Sequence, residues 1–166
     1  MASQWFSLTS QKLHLAKILL AQLEQPIEQA QINPKNTLQN EAVTQGVIEL
    51  LLRARSTLMM MIAQHHQQKT SEPLTLEGLK TRIPYDTQDL EDLETLQRSR
   101  TSWWSHLEQL EKALTQPPVP KKTVSADNII AVSAEDGADR SAESLQTTLA
   151  AMTDFARTVE DRHNEW

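Results

Sequence analysis

The stretch at residues 43–62, VTQGVIELLLRARSTLMMMI, is the longest apolar seam in the chain. Its apolar residues recur at intervals of three and four, which is the spacing of one helix face. Further leucines, isoleucines and methionines widen the stripe, so other segments must cover this helix on nearly all sides. We therefore predict an all-α fold, a bundle of four to five helices around a long central hydrophobic helix. The residues at helical spacing are Val47, Leu51, Ala54, Leu58 and Met61.

Helical periodicity continues on both sides of this seam. On the N-terminal side it predicts a helix from about Ser10 to Ala30, with a kink or a break at Pro26 because proline removes a backbone hydrogen bond. The central helix is expected to run from about Thr37 to His66 or Gln68. Three shorter helices are predicted after it, over about 76–83, 87–97 and 102–115. Thr75 is a suitable N-cap for the first of these, and the other two are alternatively one kinked helix.

Composition divides the chain into three regions. Residues 1–116 are expected to form the core of the bundle. Residues 117–140 begin with PPVPKK and continue as a polar, acidic stretch, which is typical of an extended linker. Residues 141–166 predict an amphipathic C-terminal helix that docks on the bundle or on another subunit. Its apolar stripe consists of Leu145, Leu149, Met152, Ala156 and Val159.

Charge and composition exclude several classes of protein. The 166 residues include no cysteine, so disulfides, thiolate metal sites and cysteine nucleophiles are excluded. The net charge is −6, and the sequence shows no concentrated basic face, which argues against nucleic-acid binding. Glu49, Arg53 and Arg55 interrupt the apolar seam, so no uncharged run approaches the roughly 20 residues of a membrane span. The N-terminal residues do not resemble an export signal, and we expect a cytoplasmic protein.

The glycines and histidines argue against a bound cofactor or metal. Gly46, Gly78 and Gly137 are isolated, whereas nucleotide-cradling loops need clustered glycines. A di-metal centre in a helical bundle needs two Glu-x-x-His motifs, and the sequence has one, at 160–163. The pair at 65–66 ends the central helix, where imidazolium would complement the helix dipole. We therefore expect no cofactor and no metal site.

Two arginine-containing patterns are candidates for a functional site. Arg100 and His106 fit the Arg-x4-6-His spacing of nucleotide-binding helical domains, many of which are ribonucleases, although 157–163 fits equally well. Resemblance to that group implies that Arg100 orients a phosphate and that His106 serves in catalysis across a dimer interface. Arg53 and Arg55 mark either the solvent-facing side of the central helix, with Glu49 pairing with Arg53, or an anion site between helices.

Four segments carry a resemblance to a known group of proteins. They are LTSQKLHLAKILLAQLE at 8–24, EAVTQGVIELLLRARSTLMMMIA at 41–63, PLTLEGLK at 73–80 and SWWSHLEQLEKAL at 102–114. Together they resemble a family of short, functionally uncharacterised helical proteins of gammaproteobacteria, a domain of unknown function. The resemblance implies a bacterial cytoplasmic protein of helical fold and brings no catalytic residues with it.

The sequence leads to two hypotheses about function. The first is a non-enzymatic protein-interaction or adaptor module whose partner is another protein, motivated by the amphipathic terminal helix that follows a linker. A homodimer is compatible with the same sequence. The second is a ribonuclease-like or nucleotide-binding helical domain that uses Arg100 and His106. The sequence favours the first and leaves enzymatic activity open.

Overall fold

The described part of this computed structural model comprises residues 3–23, 34–117 and 137–164. Six helices and no strand occur in these residues, which confirms the predicted all-α class. The helices are α1 (Gln4–Leu23), α2 (Pro34–His65), α3 (Leu76–Arg82), α4 (Gln88–Arg98), α5 (Trp103–Thr115) and α6 (Ala142–Asn164). Their number exceeds the predicted four to five because α4 and α5 are separate helices.

The two longest N-terminal helices, α1 and α2, pack against each other along much of their length. At Gly46 they approach so closely that a Cβ atom would lie 3.1 Å from Leu19 Cδ1. Further along the pair, the hydroxyl of Thr9 donates to Thr57 Oγ1 at 2.9 Å. Thr9 is fully buried, and its hydroxyl oxygen also lies 2.8 Å from the backbone carbonyl oxygen of Trp5, so this buried polar group has partners on both α1 and α2.

The apolar seam of α2 is buried. Helix α2 contacts α1, α3, α5 and α6, and its buried side chains belong to one apolar core. The side chains with no exposed surface include Val47, Ile48, Leu51, Ala54, Leu58, Met61 and Ile62. Because each fully buried leucine or isoleucine contributes about 1.5–3 kcal/mol, this row of residues is a major source of the stability of the fold.

Short polar side chains determine where the helices begin. Thr75 caps α3 by accepting a hydrogen bond from the backbone N–H of Gly78, as the sequence predicts. Helix α1 begins at Gln4 rather than near Ser10, because Ser3 Oγ accepts from the N–H of Phe6 at 3.0 Å. Helix α2 likewise begins three residues before the predicted start. The predicted kink at residue 26 lies outside the described residues.

The C-terminal helix α6 contacts α1, α2 and α5. The five residues of its predicted apolar stripe are all buried: Leu145, Leu149, Met152, Ala156 and Val159. Most of the predicted linker, residues 118–136, lies outside the described residues, so the division into three regions stays a prediction. Among the helices of the described ranges, none has both the length and the apolar character needed to cross a membrane.

Candidate functional site

The C-terminal ends of α2 and α6 meet the N-terminal end of α4, and titratable side chains converge at this junction. Helix dipoles favour this arrangement, since a cation is stabilised at a helix C-terminus and an anion at a helix N-terminus. Arg162 and the histidines occupy the two C-terminal ends, and an aspartate lies in the first turn of α4, after its N-cap Thr87. We call this group the histidine cluster, consisting of His65, His66, Asp89, Glu160, Arg162 and His163.

Asp89 lies at the centre of the histidine cluster, with 1% of its side chain exposed. Its Oδ2 atom accepts hydrogen bonds from His66 Nε2 at 2.9 Å and from His163 Nε2 at 2.7 Å. Its Oδ1 atom accepts from Arg162, which also donates to Asp92 Oδ2 at 2.8 Å. Burial alone would raise the pKa of Asp89, but the hydrogen bonds from His163 and His66 and the charge of Arg162 outweigh it and lower that pKa. Asp89 is therefore a buried carboxylate with a partner on each oxygen.

Glu160 forms a second buried carboxylate in the same cluster. Its Oε2 atom accepts from His65 Nε2 at 3.0 Å, and its Oε1 atom accepts from the backbone N–H of Ser3 at 2.7 Å and from Asn164 at 3.2 Å. Burial opposes ionisation of Glu160, but these hydrogen bonds outweigh it and lower its pKa. Burial also lowers the pKa of His65, and the hydrogen bond to Glu160 counteracts only part of this effect. Through Ser3, the cluster also fixes the beginning of α1.

Contacts between aromatic rings join the two carboxylates into one unit. The imidazoles of His65 and His163 are stacked, with centroids 4.3 Å apart and planes at 4°. His66 meets His163 edge-on at 5.1 Å. The hydroxyl of Tyr85, a residue with 52% of its surface exposed, lies 3.4 Å from His66 Nδ1. Since both carboxylates have bound partners and the rings contact each other, a change at one member affects the whole cluster.

The cluster also has the composition of a metal-binding group. His66, Asp89 and His163 each offer one ligand atom, and these atoms lie within 4.8 Å of one another. Nε2 of both histidines contacts Asp89 Oδ2. Imidazole nitrogen and carboxylate oxygen are ligands that Zn²⁺ and several other divalent transition metals accept. The sequence contains the separate parts, since the helix-ending histidines and the single Glu-x-x-His motif are both visible in it. Their approach to Asp89 depends on tertiary structure.

Arg100 and His106, the predicted catalytic pair, lie at the α4–α5 turn and near the beginning of α5. Arg100 is exposed. The two ring nitrogens of His106 contact Thr148 Oγ1 and the carbonyl oxygen of Asp139, each at 2.6 Å. A carbonyl oxygen can only accept, so Nε2 carries a hydrogen. These contacts connect α5 to α6 and support a structural role for His106, while the catalytic role stays a prediction.

Arg53 and Arg55, the predicted binding residues, have different surroundings. Arg53 is exposed, and in the described helix α2 no ion pair joins it to Glu49. Arg55 has 13% of its side chain exposed, forms a 2.5 Å ion pair with Glu111 and lies with its guanidinium 5.3 Å from the ring centre of Trp104. Arg55 therefore connects α2 to α5, and the anion site suggested for this pair stays a prediction.

A groove of about 590 Å³ is lined by residues of α1 and α6. Its floor includes the side chains of Leu13, Leu20 and Leu149. The exposed side chains at its edges include Lys17 and Arg157, which carry positive charge, and Asp154, which carries negative charge. The groove thus combines an apolar floor with a net positive edge.

The family model described as "Family of unknown function (DUF6586)" matches residues 1–166. No curated protein and no solved structure matches the chain.

Proposed function

The chain belongs to DUF6586, a family of unknown function, and from that premise we propose that it is a non-enzymatic protein-interaction module. Its groove between α1 and α6 receives an amphipathic helix of a partner protein. The observation that supports this proposal is the combination of an apolar floor with a positively charged edge. We also propose, from the sequence resemblance, that the protein is bacterial and acts in the cytoplasm.

The length of the groove suits one face of a helix. Its lining on α1 extends from Phe6 to Ala21, a rise of about 22 Å at 1.5 Å per residue. A partner helix of about four turns matches this length. Such a helix would place apolar residues at intervals of three, four and seven against Leu13, Leu20 and Leu149.

The charge of the edge specifies the chemistry of the partner. Lys17 on α1 and Arg157 on α6 face the same groove, and Asp154 offsets only one of these two charges. Complementary charge across an interface accelerates association and suppresses wrong partners. The partner helix therefore carries glutamate or aspartate on both sides of its apolar stripe.

Binding of two synthetic helical peptides tests this function. Both peptides carry leucines at intervals of three and four, with glutamates on both flanks in one and lysines in the other. Fluorescence anisotropy should show that the protein prefers the glutamate peptide, because its charge complements the groove edge. The double variant Lys17→Glu/Arg157→Glu should reverse this preference, with about a tenfold change in relative affinity, equivalent to about 1.4 kcal/mol.

A matched control is Lys112→Glu on α5, which changes an exposed charge outside the groove and should leave the preference unaltered. Binding of neither peptide, or binding insensitive to the charge reversal, would overturn the proposal. Sedimentation provides a further check. A wild-type dimer that Lys17→Glu/Arg157→Glu dissociates would show that a second copy of the chain fills the groove, and this result would also overturn the adaptor function.

A further inference from the structure

The histidine cluster supports an inference that is independent of the groove. We propose that His66, Asp89 and His163 form a binding site for one divalent transition-metal ion of the Zn²⁺ class. The ligand atoms are His66 Nε2, Asp89 Oδ2 and His163 Nε2. This site departs from the sequence-based expectation of no metal, because its ligands come from the residue that follows α2, from α4 and from α6.

The distances between these atoms are close to those of a metal site. Two ligands at about 2.0–2.1 Å from one ion lie about 3 Å apart at a right angle and about 3.4 Å apart at the tetrahedral angle. Asp89 Oδ2 already lies 2.9 Å from His66 Nε2 and 2.7 Å from His163 Nε2. Since the three atoms lie within 4.8 Å of one another, the two imidazole nitrogens need to approach by no more than about 2 Å. Rotation of the two rings can supply that movement.

The number of ligands leaves room for further coordination. Three protein ligands are typical of zinc sites that keep a position open for water or substrate. His163 has 22% of its side chain exposed, so the site is accessible from solvent. The neighbouring Tyr85 is exposed as well.

Surrounding side chains contact each of the three ligands. Arg162 binds Oδ1 of Asp89, which fixes the carboxylate and leaves Oδ2 for the ion. Tyr85 lies beside His66 Nδ1. A neutral His66 that held the ion through Nε2 would carry its one hydrogen on Nδ1 and would donate it to the hydroxyl of Tyr85. The hydrogen that Nε2 donates to Asp89 without the ion would have moved to Nδ1. The ring of His163 stacks on His65.

The charge of the cluster also favours a divalent cation. Within the cluster Asp89 and Glu160 carry two negative charges and Arg162 carries one positive charge, and the neighbouring Asp92 adds a third negative charge. With neutral imidazoles, which are the form that binds metals, these four charged groups sum to −2, and the carboxylates of Asp89 and Glu160 are buried. A divalent cation would neutralise that charge, and buried charge is costly unless it is compensated.

Calorimetric titration of the full chain with Zn²⁺, after removal of bound metal by a chelator, tests the site. We expect one ion per chain with a dissociation constant in the micromolar range or below. His163→Gln should weaken this binding at least tenfold, because it removes one of three ligands from the most exposed position of the three. His14→Gln, which changes an exposed histidine on α1, is the matched control and should bind as the wild type does.

A spectroscopic measurement separates metal ligation from a general structural role. Co²⁺ should give visible absorption bands when it occupies the site, and Zn²⁺ should displace it. His163→Gln should lose these bands while circular dichroism shows the same helix content as the wild type. Two results would overturn the proposal: no stoichiometric Zn²⁺ binding by the wild type, or wild-type affinity in both His66→Gln and His163→Gln.

Discussion

The middle of α2 is buried by apolar side chains, whereas its C-terminal end is surrounded by polar and charged ones. In the middle, Leu51 and Leu58 are completely buried among apolar side chains. At the end, His65 and His66 contact buried carboxylates contributed by α6 and α4. Burial of apolar surface stabilises a fold directly, whereas a buried ionic group must first overcome the cost of leaving water. The apolar middle of α2 therefore stabilises the fold directly. The polar end is where we propose that an ion binds.

The largest predicted effect concerns the apolar middle. Leu51→Asp should lower the free energy of unfolding by more than about 4 kcal/mol, because it places an unpaired charge in the core. Urea denaturation followed by circular dichroism measures this change. Gln45→Asp, at an exposed position of the same helix, should change stability by less than about 1 kcal/mol. An unchanged melting temperature in Leu51→Asp would show that the role assigned to residues 43–62 is wrong.

A smaller effect is expected when one member of the polar end is removed. Asp89→Asn should cost about 3 kcal/mol, because Arg162 and two imidazoles lose an ionised acceptor in a buried position. Asp92→Asn is the control, since that carboxylate is partly exposed, and it should cost less than about 1 kcal/mol. Equal urea midpoints for the two variants would contradict the central place of Asp89.

The dependence of stability on pH should show the contribution of Glu160, the second buried carboxylate of the cluster. Because the pKa of Glu160 is lower in the folded protein than in the unfolded chain, its ionised form stabilises the fold above the ordinary glutamate pKa of about 4.3. This stabilisation is lost as the pH falls through the lowered pKa. Glu160→Gln should therefore be less stable than the wild type at pH 7, and the difference should shrink in increasingly acidic buffer. A difference that is independent of pH would exclude this linkage.

The smallest effect distinguishes the two arginines of α2. Arg55→Ala should cost about 1 kcal/mol, because it removes the contact with the ring of Trp104 and the ion pair with the half-exposed Glu111. Arg53→Ala, at an exposed position, should leave the urea midpoint within error of the wild type. The reverse order of effects would contradict the observed placement of these side chains.

The sequence predicts the apolar middle well because its signals are local. Residues at three- and four-residue intervals identify the seam of α2, and Thr75 identifies the beginning of α3. The predicted start of α1 is wrong by several residues because Ser3 and Ser10 are equally suitable caps on sequence alone. The contact that Ser3 makes with Glu160 joins residues 157 positions apart. Local patterns carry no information about such a contact.

Local sequence patterns say even less about the candidate site than about the start of α1. The histidines at the end of α2 and the motif ending in His163 are both visible in the sequence, but each is incomplete by itself. Asp89 completes them, and it lies 23 residues from His66 and 74 residues from His163. An aspartate in the first turn of a helix is an ordinary feature, so the sequence offers no reason to select this one.

The most direct test of the contrast between middle and end is the free energy of unfolding of the triple variant His66→Leu/Asp89→Val/His163→Leu. The triple variant removes the two imidazoles together with the carboxylate that they share, and Arg162, with 30% of its side chain exposed, keeps its ion pair with Asp92. Replacing such a buried group with apolar side chains is often neutral or stabilising, whereas removing one partner is not. We predict that the triple variant matches the wild type within about 1 kcal/mol or exceeds it, although Asp89→Asn alone is destabilised. A triple variant less stable than Asp89→Asn would contradict this prediction, since it would show that the ionic group of His66, Asp89 and His163 is itself a source of stability.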